Sequence, residues 1–166
     1  MLNKTFDKLL KKEVSKPLHF IDTSVFLESI LDTRAGVICK AHLNNMGKGK
    51  YFRAVLSVSV LGEISLIIFR DMSDKKERLE IFDALERFIS IRNVDLMVQK
   101  KNDYSLVHEI MNIESRLDEL DTEHLVCAKR AGADVFITLD EKLIGNSVLE
   151  SKLGLLIKHP NEFVNI

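Results

Sequence analysis

The sequence predicts an α/β fold: a three-layer α/β/α sandwich around a central, mainly parallel sheet. Three observations predict it. Short apolar runs sized for buried strands recur along the chain, and longer stretches with helical apolar spacing separate them. The 166 residues, 46% of them apolar, are also enough for one ordinary domain to bury a continuous core.

Leu2, Phe6, Leu9 and Leu10 recur at helical spacing among lysines and acids, so Asn3 to Val14 reads as a short amphipathic helix. Residues 1–16 are thus expected to be a helical extension, and residues 17–166 the domain proper. Pro17 ends the extension, and the apolar run Leu18 to Ile21 suits a buried strand that stops at Asp22. Thr23 and Ser24 can cap a helix starting near Val25. A second helix is expected from Thr33 to about Asn45, followed by a glycine-punctuated turn, Met46 to Lys50. That turn lacks the GxxxxGK[ST] spacing and precedes a strand, so it is no phosphate loop.

Arg53 to Ser57 reads as the second strand, and Ser59 to Phe69 as a largely apolar helix with Glu63 in its first turn or so. Ser73 to Ile89 follows as an amphipathic helix with an inner stripe of Leu79, Phe82, Leu85, Phe88 and Ile89. Val94 to Val98 is a short strand, and helices are expected over Asp103 to Ile113 and Thr122 to Arg130. Gly132 closes the latter, the β-rich run Asp134 to Thr138 leads to Asp140, and Leu155 to Lys158 is the last strand.

Composition narrows function. With 24 basic against 25 acidic side chains there is no whole-molecule basic field, which argues against a passive nucleic-acid binder but not against a nuclease whose cations neutralise site carboxylates. Cys39 and Cys127 stand far apart without zinc or redox spacing and read as buried helix residues. The N-terminus has no apolar core of a signal peptide, and no run approaches the roughly 18 apolar residues of a membrane span, so the chain is expected to be cytoplasmic and free of membrane.

The chemistry rests on four separated acids. Asp22 and Asp140 fall at strand ends, while Glu63 and Asp121 fall near helix starts. In an open parallel sheet these positions share one edge, where ligands bind. A single acid at a helix start is usually a cap or dipole partner worth under about 2 kcal/mol. Glu63, set between Val60, Leu61 and Ile64 to Ile68, resists that explanation, and four acids together resist it further. Crowded carboxylates need a cation, and hard oxygen donors without histidine or thiol suit Mg²⁺ or Mn²⁺, whose best-served chemistry is phosphodiester hydrolysis.

Ile21-Asp22-Thr23-Ser24-Val25-Phe26-Leu27-Glu28 resembles the opening motif of PIN domains, and Leu61-Gly62-Glu63-Ile64 the second acidic motif of that family. Asp121 to Ala128 with Ala131 to Asp134 resembles the third, and Phe136-Ile137-Thr138-Leu139-Asp140 the fourth. His159-Pro160-Asn161-Glu162-Phe163 is similar to the tail that closes many members. The resemblance, to VapC-like or archaeal-type PIN ribonucleases, spans residues 18 to 164. It implies a Mg²⁺- or Mn²⁺-dependent endonuclease acting on RNA, as a toxin with an antitoxin partner or as an RNA-processing factor with a protein partner, and frequently as a homodimer.

Carried over by position, Asp22, Glu63, Asp121 and Asp140 match the metal-binding acids, and Ser24 and Thr138 the supporting hydroxyls. Asp118, one turn earlier, and Glu123 compete with Asp121 for the third place. His124, in a first helical turn, reads as an ordinary polar face residue outside the site, and the other histidines form no metal-binding spacing. Lys75, Lys76 and Arg78, or Lys48, Lys50 and Arg53, can contact phosphates or serve as solvated charges. A haloacid-dehalogenase-like phosphatase needs a second Asp where this chain has Ser24, and a receiver domain needs an acid pair that is missing. The rival that remains is a non-catalytic PIN-like module that binds RNA or protein.

Overall fold

The computed structural model describes residues 16–46 and 52–164. The helix expected over Asn3 to Val14 and most of the turn after Met46 lie outside the described residues. Five strands form one parallel sheet: β1 (Leu18–Ile21), β2 (Arg53–Ser57), β3 (Asp95–Met97), β4 (Val135–Ile137) and β5 (Leu156–Lys158). Among the described residues seven α-helices accompany them: α1 (Thr23–Ser29), α2 (Arg34–Met46), α3 (Val58–Asp71), α4 (Lys75–Arg92), α5 (Tyr104–Ile113), α6 (Glu119–Ala131) and α7 (Ser147–Leu153).

Strand order is β3-β2-β1-β4-β5, so the chain steps outward from β1 to β3 and then returns to build β4 and β5 on the other side. β1 therefore lies at the centre, paired with β2 and β4, with Phe20 opposite both Val55 and Phe136. All four of its residues are buried, as are all three of β4, and the Phe20 and Phe136 rings stack 5.3 Å apart across the seam. Burial on both faces is why these strands read as unbroken apolar runs instead of alternating ones. Edge strand β3 is mostly exposed, and Leu96 is 47% accessible.

Helix ends follow local chemistry. Asp74, Asp118 and Asn146 accept from the backbone amides of Glu77, Asp121 and Leu149, and so cap α4, α6 and α7. These caps shift two expected helices: α4 starts at Lys75, and α6 starts at Glu119, three residues before Thr122. Asn93 in the left-handed region ends α4 after Arg92, beyond the Ile89 expected. Gly132, at φ 69°, closes α6 in the left-handed conformation that its place in the sequence predicts. Helix α7 was not anticipated, although Asn146 before it, Leu149 and Leu153 one turn apart, and Gly154 after it spell one out. Leu79 also departs from expectation: it is 54% exposed, while Phe82, Leu85, Phe88 and Ile89 pack on the core.

Helices α1 and α2 meet at a turn where Thr33 Oγ1 accepts from the Gly36 amide at 2.8 Å. A Cβ on Gly36 would sit 2.2 Å from the Leu31 carbonyl oxygen and 2.7 Å from that of Glu28, so backbone would have to move. Gly36→Ala is expected to lower unfolding stability by about 1–3 kcal/mol, the usual range for overpacking. An unchanged denaturation midpoint would show that the turn opens freely.

Candidate active site

The reversal of strand order falls between β1 and β4, and in open α/β sheets that switch point is where a crevice opens at the strands' carboxyl ends. Asp22 follows β1 there, and its amide donates to the Ile137 carbonyl at 3.0 Å. Thr138, Leu139 and Asp140 follow β4. Asp22 holds the N-cap position of α1, which begins at Thr23 and not near Val25, yet its carboxylate caps nothing. The side chain is used otherwise.

Asp22 Oδ2 accepts from Ser24 Oγ at 2.7 Å and from Thr138 Oγ1 at 2.8 Å, while Oδ1 lies 3.3 Å from His124 Nδ1. Ser24 Oγ in turn accepts from the Leu139 amide at 3.2 Å, and Thr138 Oγ1 from the Asp140 amide at 3.0 Å. The two hydroxyls thus lace the end of β4 to the start of α1, with the Asp22 carboxylate between them. Burial pushes the Asp22 carboxyl up, but bonds from His124 and Ser24, the charge of His124 and the Thr138 hydroxyl outweigh it and hold the group below the ordinary carboxylate value. Asp22 is therefore an anion buried with its acceptor sites filled from three directions.

Glu63 lies in the second turn of α3, slightly later than expected, and its Oε2 accepts a short hydrogen bond from Thr23 Oγ1. Thr23 neighbours Asp22, so this contact draws the second acid toward the first. Asp140 turns back on itself, Oδ1 accepting from the Lys142 amide at 2.9 Å.

At the third position, Asp118 spends Oδ1 on the Asp121 amide at 2.8 Å as the cap of α6 and is exposed. Asp121 faces the other acids. Burial first, then the charges of Asp118, Asp22 and Asp140, raise its carboxyl to about 6, with His124 acting in the opposite direction. Because this folded value lies above the ordinary one, the ionised Asp121 opposes folding at neutral pH. Asp121→Asn is expected to raise the unfolding free energy in metal-free buffer by about 1 kcal/mol, after allowance for solvent screening, and with it the unfolding midpoint. A lowered midpoint would mean that these carboxylates do not crowd one another.

The surprise is His124. Expected on a polar face outside the site, it is 1% exposed, with Nδ1 on Asp22 and Nε2 3.9 Å from Glu63 Oε2. Nε2 has no hydrogen-bond partner among the described residues. His124 lies three residues after Asp121 and is buried together with Thr122 and with Leu125 to Ala128, so its ring faces inward and has to meet something polar.

Other expectations meet different fates. Arg53 opens β2, at the opposite end of the sheet from the acids. Arg78 lies over the Phe69 ring, 5.1 Å from its centroid, and Lys76 faces Glu80 at 3.8 Å. Cys39 and Cys127 are buried helix thiols without a disulfide. No described helix is long and apolar enough to cross a membrane.

The PIN domain family model matches residues 19–146, the stretch that carries Asp22, Glu63, Asp121 and Asp140. The chain belongs to the PIN domain family. Solved structures agree on the fold. FitAcB from Neisseria gonorrhoeae aligns with a TM-score of 0.65 at 14% identity, covering 86% of this chain and 97% of that one. VapBC2 from Rickettsia felis, bound to a DNA fragment from its promoter, aligns at 0.61 and 12% identity, covering 86% and 98%. VapC20 of Mycobacterium tuberculosis, a toxin that cleaves the sarcin–ricin loop, aligns at 0.56 and 15% identity, covering 74% and 90%. No curated protein sequence matches the chain.

Proposed function

We propose that this PIN domain is a metal-dependent endoribonuclease that hydrolyses phosphodiester bonds of RNA, with Asp22, Glu63, Asp121 and Asp140 as its acidic site and Ser24 and Thr138 as supporting hydroxyls. The observation that carries the reading is the lacing of Asp22 to the end of β4 through Ser24 and Thr138, which donate to it and accept the amides of Leu139 and Asp140, while His124 of α6 meets its other oxygen. Acids from α6, β1 and β4 therefore share one locality, and no described basic side chain hydrogen-bonds to Asp22, Asp121 or Asp140 other than His124.

Such a donor set, hard oxygens in excess negative charge, fits Mg²⁺ or Mn²⁺. Among the described residues no three acids, histidines or cysteines draw together into a ready-made cage. Asp22 and Asp140 flank the switch-point crevice and would hold the ion, with Asp121 and Glu63 beside them. When bound, the cation supplies Lewis-acid stabilisation of the phosphodiester and acidifies an attacking water.

The protein's own part is orientation. Ser24 and Thr138 lock the Asp22 carboxylate in one rotamer, and His124 fixes its second oxygen, so no reorganisation is needed when charge develops. Ser24 Oγ and Thr138 Oγ1 both donate to Asp22 and serve as its supports, which fits hydrolysis by water.

A protein partner such as an antitoxin is part of the proposal, and a cavity of about 510 Å³ among α1, α2, α3 and α4 is where it would dock. Phe26, Ile30, Val37, Leu43, Ile68 and Phe88 are among its lining residues and none of the four site acids is, as suits a groove for an amphipathic helix of a protein partner. Homodimerisation, implied by the family, is part of the same proposal. Incubation of a mixed RNA set with the full chain and Mg²⁺ or Mn²⁺, against an EDTA control, tests the activity. Cleavage that needs the metal is the expected result. Tight RNA binding without cleavage would instead establish the non-catalytic alternative.

A further inference from the structure

A nuclease site built of acids repels the phosphates it must hold, so some cation of the protein has to meet the substrate at its rim. Most basic groups near the carboxyl-terminal half are already committed. Arg130 is tied to Asp103 and the Val98 carbonyl, Lys129 to the Lys152 carbonyl, Lys152 to Glu109, and Lys158 lies near Glu150.

Arg116 is different. It lies in the turn between α5 and α6, two residues before the Asp118 cap and five before Asp121. Its Nε and Nη2 donate in parallel to the two oxygens of Glu114, each at 2.8 Å. Glu114 is only 14% exposed while Arg116 is 63% exposed, so the carboxylate is the anchor and the guanidinium faces solvent. Glu114 Oε2 also accepts from Asn146 Nδ2 at 3.2 Å, and Asn146 Oδ1 caps α7. The loop before α6 is thereby fastened to the loop after Asp140. The Arg116 fork holds the Glu114 carboxyl down to about 2. Arg116 itself is kept charged by its bonds to Glu114 first, by the charge of Glu114 next, and also by the charge of Asp140. An arginine within the field of a site acid, gripped from behind and with Nη1 uncommitted, is set for a phosphate.

We infer that Arg116, aimed by Glu114 and Asn146 across the two loops flanking Asp140, is the contact that receives a backbone phosphate of single-stranded RNA at the lip of the acidic site. This rests on the ribonuclease reading for its catalytic consequence, while RNA binding reads it independently. Arg116 touches substrate; Glu114 and Asn146 act through it as positioning residues.

The test uses the full chain and a fluorescent mixed-sequence oligoribonucleotide. Cleavage constants are measured in Mg²⁺, and equilibrium binding is measured in EDTA over a range of salt. Arg116→Ala is expected to raise KM about tenfold with kcat nearly unchanged, and to flatten the slope of log K against log salt by about 0.7, the value of one phosphate contact on a single strand. Arg116→Lys should restore the slope but only part of the KM, because a point charge lacks the planar fork. Glu114→Gln should fall between native and Arg116→Ala. Melting curves should leave Arg116→Ala with the native midpoint. A native chain that cleaves while Arg116→Ala keeps both its KM and its salt slope overturns the inference. A native chain that cleaves nothing, yet loses the slope increment on Arg116→Ala, overturns the nuclease reading and upholds Arg116 as the RNA contact.

Discussion

Asp22→Asn should slow RNA cleavage by about 10²–10³-fold in Mg²⁺ or Mn²⁺, equivalent to about 3–4 kcal/mol of lost transition-state stabilisation. The amide is nearly isosteric, but one of its two polar atoms becomes a donor. Oδ2 of Asp22 accepts from both Ser24 and Thr138, and Oδ1 faces His124, so an amide group must turn its NH₂ toward hydroxyls that both donate or toward an imidazole. It also removes the charge that a hard cation needs. Asp140→Asn should give a loss of the same order. Ser24→Ala and Thr138→Val, which loosen the orientation of Asp22 without removing an acid, should each lower the rate by about 10–100-fold, as lost outer-shell bonds do. Single-turnover cleavage with each variant, its fold checked by circular dichroism, provides the comparison. Undiminished cleavage by Asp22→Asn and Asp140→Asn would sink the proposed mechanism.

Acid should destabilise this protein through a second place entirely. His19 of β1 and His42 of α2 are 1% and 0% exposed, their rings stack within 5.6 Å, and Phe52 and Phe163 pack against both. Among the described residues none of their ring nitrogens has a hydrogen-bond partner. Burial lowers His19 to about 4; burial first, and the neighbouring His19 second, lower His42 to about 3.

Both folded values lie below the ordinary histidine value, so between about pH 6.5 and 4 the unfolded chain binds protons that the folded chain refuses. The fold has its full stability above that window and loses it as pH falls, by about 3 kcal/mol for each ring. His42→Phe keeps an aromatic ring in the stack and removes one titrating group with its unpaired nitrogens. It is expected to raise the melting temperature at pH 7 and to flatten its decline toward pH 5. Parallel declines for native and variant would mean that the pair does not titrate on unfolding.

What could be read in the residues follows the reach of the interactions concerned. Buried parallel strands announce themselves because both faces are apolar, and β2 was legible to its end residues for that reason, while β3, an exposed edge strand, proved shorter than its apolar run. Helix starts drifted where an Asp or Asn cap, and not the apolar stripe, sets the boundary, as at Asp118, and a seven-residue helix such as α7 has too few turns to show periodicity. The acids were readable because strand ends and helix starts must share an edge. Choosing among Asp118, Asp121 and Glu123 was not, since it depends on which side chain the α6 N-terminus spends on its own amide. His124 could not be placed either: its partners Asp22 and Glu63 are 102 and 61 positions away in the chain. Arg116 gave no local sign, because its partner Asn146 lies on a different loop, reached only through Glu114.

The central place of β1 has a consequence for the timing of synthesis. Asp22 is made early, but Thr138 and Asp140 come 116 and 118 residues later, and β4, which positions them, cannot pair with β1 until that length has emerged. Contacts so distant along the chain also close slowly, because the entropy of the intervening loop is lost before the pairing is gained. A nascent chain carries the first acid of its site without the partners that orient it. For an enzyme proposed to cut RNA, this topology leaves the site incomplete until the chain as far as Asp140 is available to fold against β1.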